Sequence, residues 1–264
     1  MRYASCVSQK SFARVTYSVQ PPVARIRLHN SSLNIIDIPM MEELSAAMVD
    51  AEAQADVSVA VLGGGEFGFS AGVDVAAHTP EMVREMLAKF HAIFRAMVTS
   101  RKVWVGVVTG HCLGGGAELA MMCDLVVTAE SATWGFPEIR LGCFPPVAAT
   151  ALGALIGQKR ASELILTGRT FDGREALALG LANAAVREGE VERRVEEWIT
   201  ELRQLSPVAL AATKKAIYGW DSMHFDKGLA RAEKIYLDEL MQTEDAREGI
   251  RAFLEKREPR WRGK

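Results

Sequence analysis

The 264-residue chain predicts an α/β core with a helical C-terminal region, and three observations point to it. Two β-branched runs, "VSVAVL" from Val57 to Leu62 and "VWVGVV" from Val103 to Val108, each run into a glycine-rich loop. Helix-forming segments alternate with such runs, the pattern of crossover units on a parallel sheet. Beyond residue 145 the pattern becomes mostly helical.

In chain order, Val15, Tyr17 and Val19 alternate at period two. The Gln20-Pro21-Pro22 turn follows and Val23 to Leu28 resumes, which predicts a hairpin. Met41, Leu44, Ala47 and Met48 fall at helical spacing in a helix expected from Pro39 through Ala53. Thr79-Pro80 reads as an N-cap with proline at the first helical position, opening a helix through Val98. A further helix is expected at Ala117, then a strand at "LVVT", Leu125 to Thr128. Asp172-Gly-Arg-Glu175 has the form of a capping box, Ser206-Pro207 of another helix start, and Thr243 of the cap of the last helix.

Composition narrows the function classes. Hydrophobic residues make up 49% and charged residues 24%, as in ordinary globular proteins, and the formal net charge of −2 argues against a phosphate-dominated nucleic-acid surface. Cys6, Cys112, Cys123 and Cys143 form no CxxC pair and no zinc-like spacing, so they read as reduced thiols, and no metal site is expected. The N-terminus has no signal-like apolar run, and no stretch approaches the ~18 apolar residues of a membrane span. A cytoplasmic protein with no membrane partner is the expectation.

Three consecutive glycines in "GHCLGGGAELAMMCD", Gly110 to Asp124, need a reason. A strand, a glycine loop and a helix start form an anion site, because the first helical N–H groups lack internal partners. Phosphate cradling fits poorly: GxxxxGK[ST] is absent and no basic side chain apart from His111 lies in the segment. Two readings remain. Either two backbone N–H groups from separate loops converge on an oxygen that gains charge, an oxyanion hole needing glycine but no lysine, or the glycines only allow tight packing.

Glu118 and Glu138, in "GGGAELA" and "WGFPEIRLG", are carboxylates in apolar company. The plain alternatives are a helix-start acid for Glu118 and a surface acid for Glu138. Held together in a buried site, they would share one water and divide base and acid duties.

"FSAGVDV" (Phe69 to Val75), "GHCLGGGAELAMMCDLVV" and "WGFPEIRLG" resemble the motifs of the crotonase, or enoyl-CoA hydratase/isomerase, superfamily. The likeness runs from "LHNSSLN" through "LILTGRTFDGREALALGLAN" to "FLEKREPRW". It implies a crotonase-like ββα spiral core over residues 1–200 and a C-terminal helical oligomerisation region over 201–264, in a homotrimer or hexamer. It implies that the backbone N–H groups of Val73 and Gly115 hold a thioester carbonyl, with Ala71, Asp74 and Gly114 around the substrate, although Asp74 also reads as the residue that fixes the turn aiming the Val73 N–H. Trp134, four residues before Glu138, is either a packing residue or part of the acyl pocket. Glu118 and Glu138 stand where the family's hydratases carry their two glutamates, which favours addition of water to an α,β-unsaturated acyl-CoA. No cofactor is implied, since coenzyme A belongs to the substrate.

One stretch departs from the common pattern. "CFPPVAATAL", Cys143 to Leu152, has Pro146 and Ala148-Ala149 where glycines are usual, which implies a stiffer, bulkier wall beside the acyl group. With "FSAGVDVAAHTPEMV" it resembles the branch that hydrates cyclic dienoyl-CoA thioesters in aromatic degradation. The alternatives are isomerisation, dehalogenation or C–C cleavage on the same scaffold, or a non-enzymatic RNA-binding role. Cys112 beside His111 invites a nucleophile reading, but neighbours in a strand point apart. His78 is either a substrate contact or a capping residue. Lys256 and Arg257 are either phosphate contacts or a solvated helix end, and Trp104, Trp220 and Trp261 are packing residues.

Overall fold

In the computed structural model, which describes residues 8–65, 68–219 and 221–264, β1 (Ser8–Ser11) pairs antiparallel with β2 (Val15–Gln20), and β2 with β3 (Val23–Leu28). The predicted hairpin is therefore present. Cys6 and Trp220 lie outside the described residues. Asp37 caps α1 (Ile38–Ala53) by accepting the Met40 N–H at 2.9 Å. The chain then enters β4 (Val59–Gly63) parallel to β3.

The next helix starts later than Thr79-Pro80 suggests. Asp74 caps a 3₁₀ turn over Val75–His78 by accepting the Ala76 N–H, and the Thr79 carbonyl takes the N–H groups of Met82 and Val83. That extra turn delays α2 to Val83–Thr99. β5 (Val103–Val108) pairs parallel with β4. His111–Leu113, expected as loop, forms a short strand, β6. α3 (Gly115–Met121) begins two residues before Ala117, directly on the glycines.

β7 (Leu125–Ala129) and β10 (Ala184–Val186) complete a sheet in the order β1-β2-β3-β4-β5-β7-β10, parallel from β3 onward. β6, β8 (Thr133–Gly135) and β9 (Thr170–Asp172) form a second, three-stranded sheet. Every residue of β4 and β5 is buried, so both faces of the large sheet are covered there. α1 lies on β2 and β3, and α7 (Val191–Leu202) on β5 and β7.

The helical remainder comprises α4 (Pro146–Ile156), α5 (Gln158–Thr167), α6 (Gly173–Leu179), α8 (Pro207–Tyr218), α9 (Asp221–Lys234) and α10 (Glu244–Leu254). Asp172, Ser206 and Thr243 accept the N–H groups of Glu175, Ala209 and Ala246, as their capping patterns predict. Glu175 does not close the reciprocal half of its box, because its carboxylate pairs with Arg169 at 2.6 Å. One turn of π-helix, Ile235–Glu239, follows α9. α10 packs on the 3₁₀ turns at Val75–His78 and Pro137–Leu141, so the last helix reaches both halves of the site. Among the described residues no helix is long and apolar enough to cross a membrane.

Candidate active site

The two glycine loops meet edge to edge. Ser70 donates its N–H to the His111 carbonyl and accepts that of Leu113, and the Phe69 N–H goes to Thr109. Asn34, buried in the left-handed region at φ +48, braces the first loop through its Nδ2, which donates to the Gly64 and Gly68 carbonyls. The Ser70 hydroxyl donates to the Asn34 carbonyl and accepts the Gly72 N–H. Asn34 and Ser70 were not singled out from sequence; the available signal was an asparagine in "LHNSSLN", a residue type that tolerates φ > 0.

Between Phe69 and Asp74 the N–H groups of residues 69, 70, 71, 72 and 74 all have acceptors. The Val73 N–H has none among the described residues. On the second loop, Leu113 and Gly114 donate to Ser70 and Gly135, whereas the Gly115 N–H is one of the unpaired donors at the start of α3. Val73 and Gly115 both line one cavity of about 420 Å³. A Cβ on Gly115 would lie 2.6 Å from Val73 Cγ2 and 2.9 Å from Phe90 Cζ.

The other two glycines answer to the same crowding. Gly114 has φ +52, and a Cβ there would lie 2.7 Å from Glu138 Oε1; on Gly116 it would lie 2.7 Å from the Ser70 carbonyl oxygen. What approaches this backbone is the other loop and a carboxylate.

Both glutamates line the cavity. Glu118, 2% exposed in the first turn of α3, accepts the Ala148 N–H at 2.9 Å, with a further bond from Val147. Those two N–H groups open α4, whose first residue is Pro146. The departure "FPPVAA" thus sets a helix N-terminus against the carboxylate. Glu138 sits in the 3₁₀ turn Pro137–Leu141, and its Oε2 is shielded from solvent with no hydrogen-bond partner. Burial raises both carboxyls well above the ordinary carboxylate range. Backbone N–H bonds partly offset this at Glu118, while the Glu118 charge raises Glu138 further. The pair is built to hold a proton near neutrality, and the orphaned Oε2 is the atom a water or substrate would satisfy.

With two free N–H donors and two carboxyls of raised pKa on one cavity, comparison with known proteins becomes decisive: the enoyl-CoA hydratase/isomerase family model matches residues 19–264. The chain belongs to the enoyl-CoA hydratase/isomerase family. It is 35% identical over 241 residues to a cyclohexa-1,5-dienecarbonyl-CoA hydratase of Thauera aromatica, covering 90% of this chain and 92% of that one. It is 33% identical to a probable enoyl-CoA hydratase of Bacillus subtilis, covering 94% and 98%. The crystal structure of an enoyl-CoA hydratase from Mycobacterium avium subsp. paratuberculosis superposes with TM-score 0.86 at 28% identity, over 96% of this chain and all of that one.

Within this family member, Ala71 and Gly114 line the cavity, whereas Asp74 and Trp134 do not reach it and take the other roles read for them, fixing a turn and packing. Asp74 turns its carboxylate into the cap of the 3₁₀ turn and holds the loop through its N–H bond to Ile36. Trp134 is fully buried in β8, its Nε1 donating to Thr128 Oγ1 at 3.0 Å and its ring stacked on Phe171. Pro137 starts a new turn between it and Glu138, so closeness in sequence does not carry the indole into the cavity.

His78 lines the cavity while its Nδ1 lies 3.0 Å from the Asp74 carbonyl; burial lowers its pKa, so the ring is neutral at pH 7. Cys112 is buried away from the cavity with its thiol pKa raised, which removes it as a nucleophile. Arg257 lines the cavity but is held by Glu248 and Glu255. Phe90, Cys143, Phe144 and Tyr236 complete much of the wall. No sequence pattern pointed to them as a group, because they come from three segments far apart in the chain.

Proposed function

We propose that this protein adds water reversibly to an α,β-unsaturated, cyclic dienoyl acyl-CoA thioester. The observation that carries the reading is buried Glu118 and half-buried Glu138, with its shielded Oε2, on the same cavity as the unengaged Val73 and Gly115 N–H groups. These two donors bind the thioester oxygen and stabilise the enolate that develops as water attacks. Glu118 takes a proton from the water as its oxygen bonds to the unsaturated carbon. Glu138 gives its proton to the enolate carbon, and the roles exchange in dehydration. The pair's raised proton affinity supports this division, since one member must be ionised and the other protonated. No metal or redox cofactor enters the reaction; coenzyme A is part of the substrate.

The cyclic substrate is supported by the likeness to the Thauera aromatica protein and by Pro145 and Pro146 in the cavity wall. The proposal includes a cytoplasmic homo-oligomer, a trimer or hexamer, associated through the helices after residue 200. Val208 and Ile217 on α8, 79% and 65% exposed, support such an apolar contact.

The test is an absorbance assay offering crotonyl-CoA and cyclohexa-1,5-diene-1-carbonyl-CoA separately, with products weighed by mass spectrometry. Gain of one water on the cyclic diene, with little on crotonyl-CoA, is the expected result. Glu118→Gln and Glu138→Gln should each keep the native circular dichroism while losing roughly 10²–10⁴ in turnover. Near-normal hydration by either variant would remove that residue from the mechanism, and no water on either substrate would overturn the hydratase reading.

A further inference from the structure

The cavity that holds the glutamates has a neighbour. A second cavity, of about 640 Å³, is walled largely by apolar side chains, among them Met121, Met122, Leu155, Phe225 and Ala232. Phe144 lines both cavities. Across from it, consecutive residues of the π-helical turn face opposite ways: Tyr236 lines the first cavity and Ile235 the second. A π turn adds a residue to the helical repeat and re-aims the side chains around it, a device common at functional sites.

The partition is well fixed. The Phe144 and Tyr236 rings meet edge to face with centroids 5.2 Å apart. Tyr236 is 1% exposed, and its hydroxyl rests on the Cys143 thiol, which donates in turn to the Leu141 carbonyl. The phenol lines the same cavity as Glu118 and Glu138, beside Cys143 and buried, whereas Arg140 and Phe253 on that cavity are exposed. Pro145 and Pro146, adjacent to Phe144, restrict how that ring can yield.

We propose that Tyr236, packed against Phe144, is the specificity-determining partition of the acyl site. It closes the active cavity against the second one, confining the enzyme to short or ring-shaped acyl groups. This rests on the acyl-CoA reading above and goes beyond it by naming what excludes extended chains. The apolar space that a longer chain needs already exists, and two aromatic rings stand in front of it. Each methylene refused or admitted by an apolar pocket is worth about tenfold or more in kcat/KM.

The experiment measures kcat/KM for trans-2-enoyl-CoA thioesters of four, six, eight and ten carbons with the full chain and with Tyr236→Phe, Tyr236→Ala and Phe144→Ala. The wild type should fall steeply beyond six carbons. Tyr236→Phe, which keeps the ring, should keep the same ratio between chain lengths. Tyr236→Ala or Phe144→Ala should raise the ten-carbon to four-carbon ratio about tenfold or more. A wild type that accepts ten carbons as readily as four, or truncations that leave the ratio unmoved, would overturn the proposal.

In parallel, affinities of the saturated acyl-CoAs of the same lengths are measured by calorimetry, which requires no turnover. If neither these chains nor cyclohexa-1,5-diene-1-carbonyl-CoA is hydrated yet binding shows the same cutoff and the same relief, the hydratase reading fails and the partition stands. If Tyr236→Ala does not fold, Tyr236→Leu and Phe144→Ala decide the matter by the same ratio.

Discussion

At the scale of single residues, glycine is required at position 114 for two separable reasons. Its φ of +52 disfavours any side chain, and a Cβ would strike Glu138 Oε1. Gly157 supplies the control: its φ is +87, but a Cβ there meets nothing within 4 Å. Gly157→Ala should therefore lower stability by about 1–2 kcal/mol in urea unfolding and leave turnover near the wild-type value. Gly114→Ala should show a similar or larger loss of stability together with a drop in kcat of about 10²-fold. Displacing a catalytic group by about 1 Å commonly has that effect. If Gly114→Ala loses stability alone, Glu138 tolerates the displacement and its position is less demanding than the crowding suggests.

At the scale of elements, α8 has few buried residues of its own and is held to the sheet by charge. Lys214, 5% exposed, donates from Nζ to Asp124 Oδ2 at 2.8 Å and to the Lys102 carbonyl at 2.9 Å, while Asp124 Oδ2 also accepts the Trp104 N–H. Lys214→Met keeps the apolar stem and strands the carboxylate, so it should lower unfolding free energy by about 3 kcal/mol. Adding Asp124→Asn should recover part of that loss, and a Lys214→Met protein as stable as wild type would show that the pair does not hold α8. Nothing in the sequence marked Lys214 and Asp124 as partners, 90 residues apart. The legible parts were local: the hairpin, the strands ending in glycines, the caps at Asp172, Ser206 and Thr243, and the two glutamates, each announced by its immediate neighbours. Trp134 stayed open between packing and the acyl pocket because nearness along the chain carries no direction, and Tyr236 was missed because only the docking of the C-terminal helices brings it to the cavity.

At the scale of the whole molecule, the carboxylate pair is a site where chemistry works against folding. A carboxyl whose pKa is raised in the folded state binds more protons there than in the unfolded chain. Stability then falls as pH rises from the ordinary carboxylate value, about 4.5, through the raised one. Above that window the native state carries both charges in a site that resists them; below it, both carboxyls are protonated in either state and the penalty disappears. Glu118→Gln/Glu138→Gln removes the titration while keeping similar shapes and hydrogen-bonding groups. Relative to that double variant, the wild type should lose about 1–3 kcal/mol of unfolding free energy between pH 5 and pH 8, measured by urea titration at fixed ionic strength. A ligand that binds at the two free N–H groups without changing the protonation of either glutamate should stabilise the wild type by mass action without removing that slope. The opposite sign, a wild type gaining stability on the double variant as pH rises, would mean that the Ala148 and Val147 N–H groups outweigh burial. The pair would then be fully ionised at neutral pH, leaving Glu138 without the proton that the hydration reaction asks it to give.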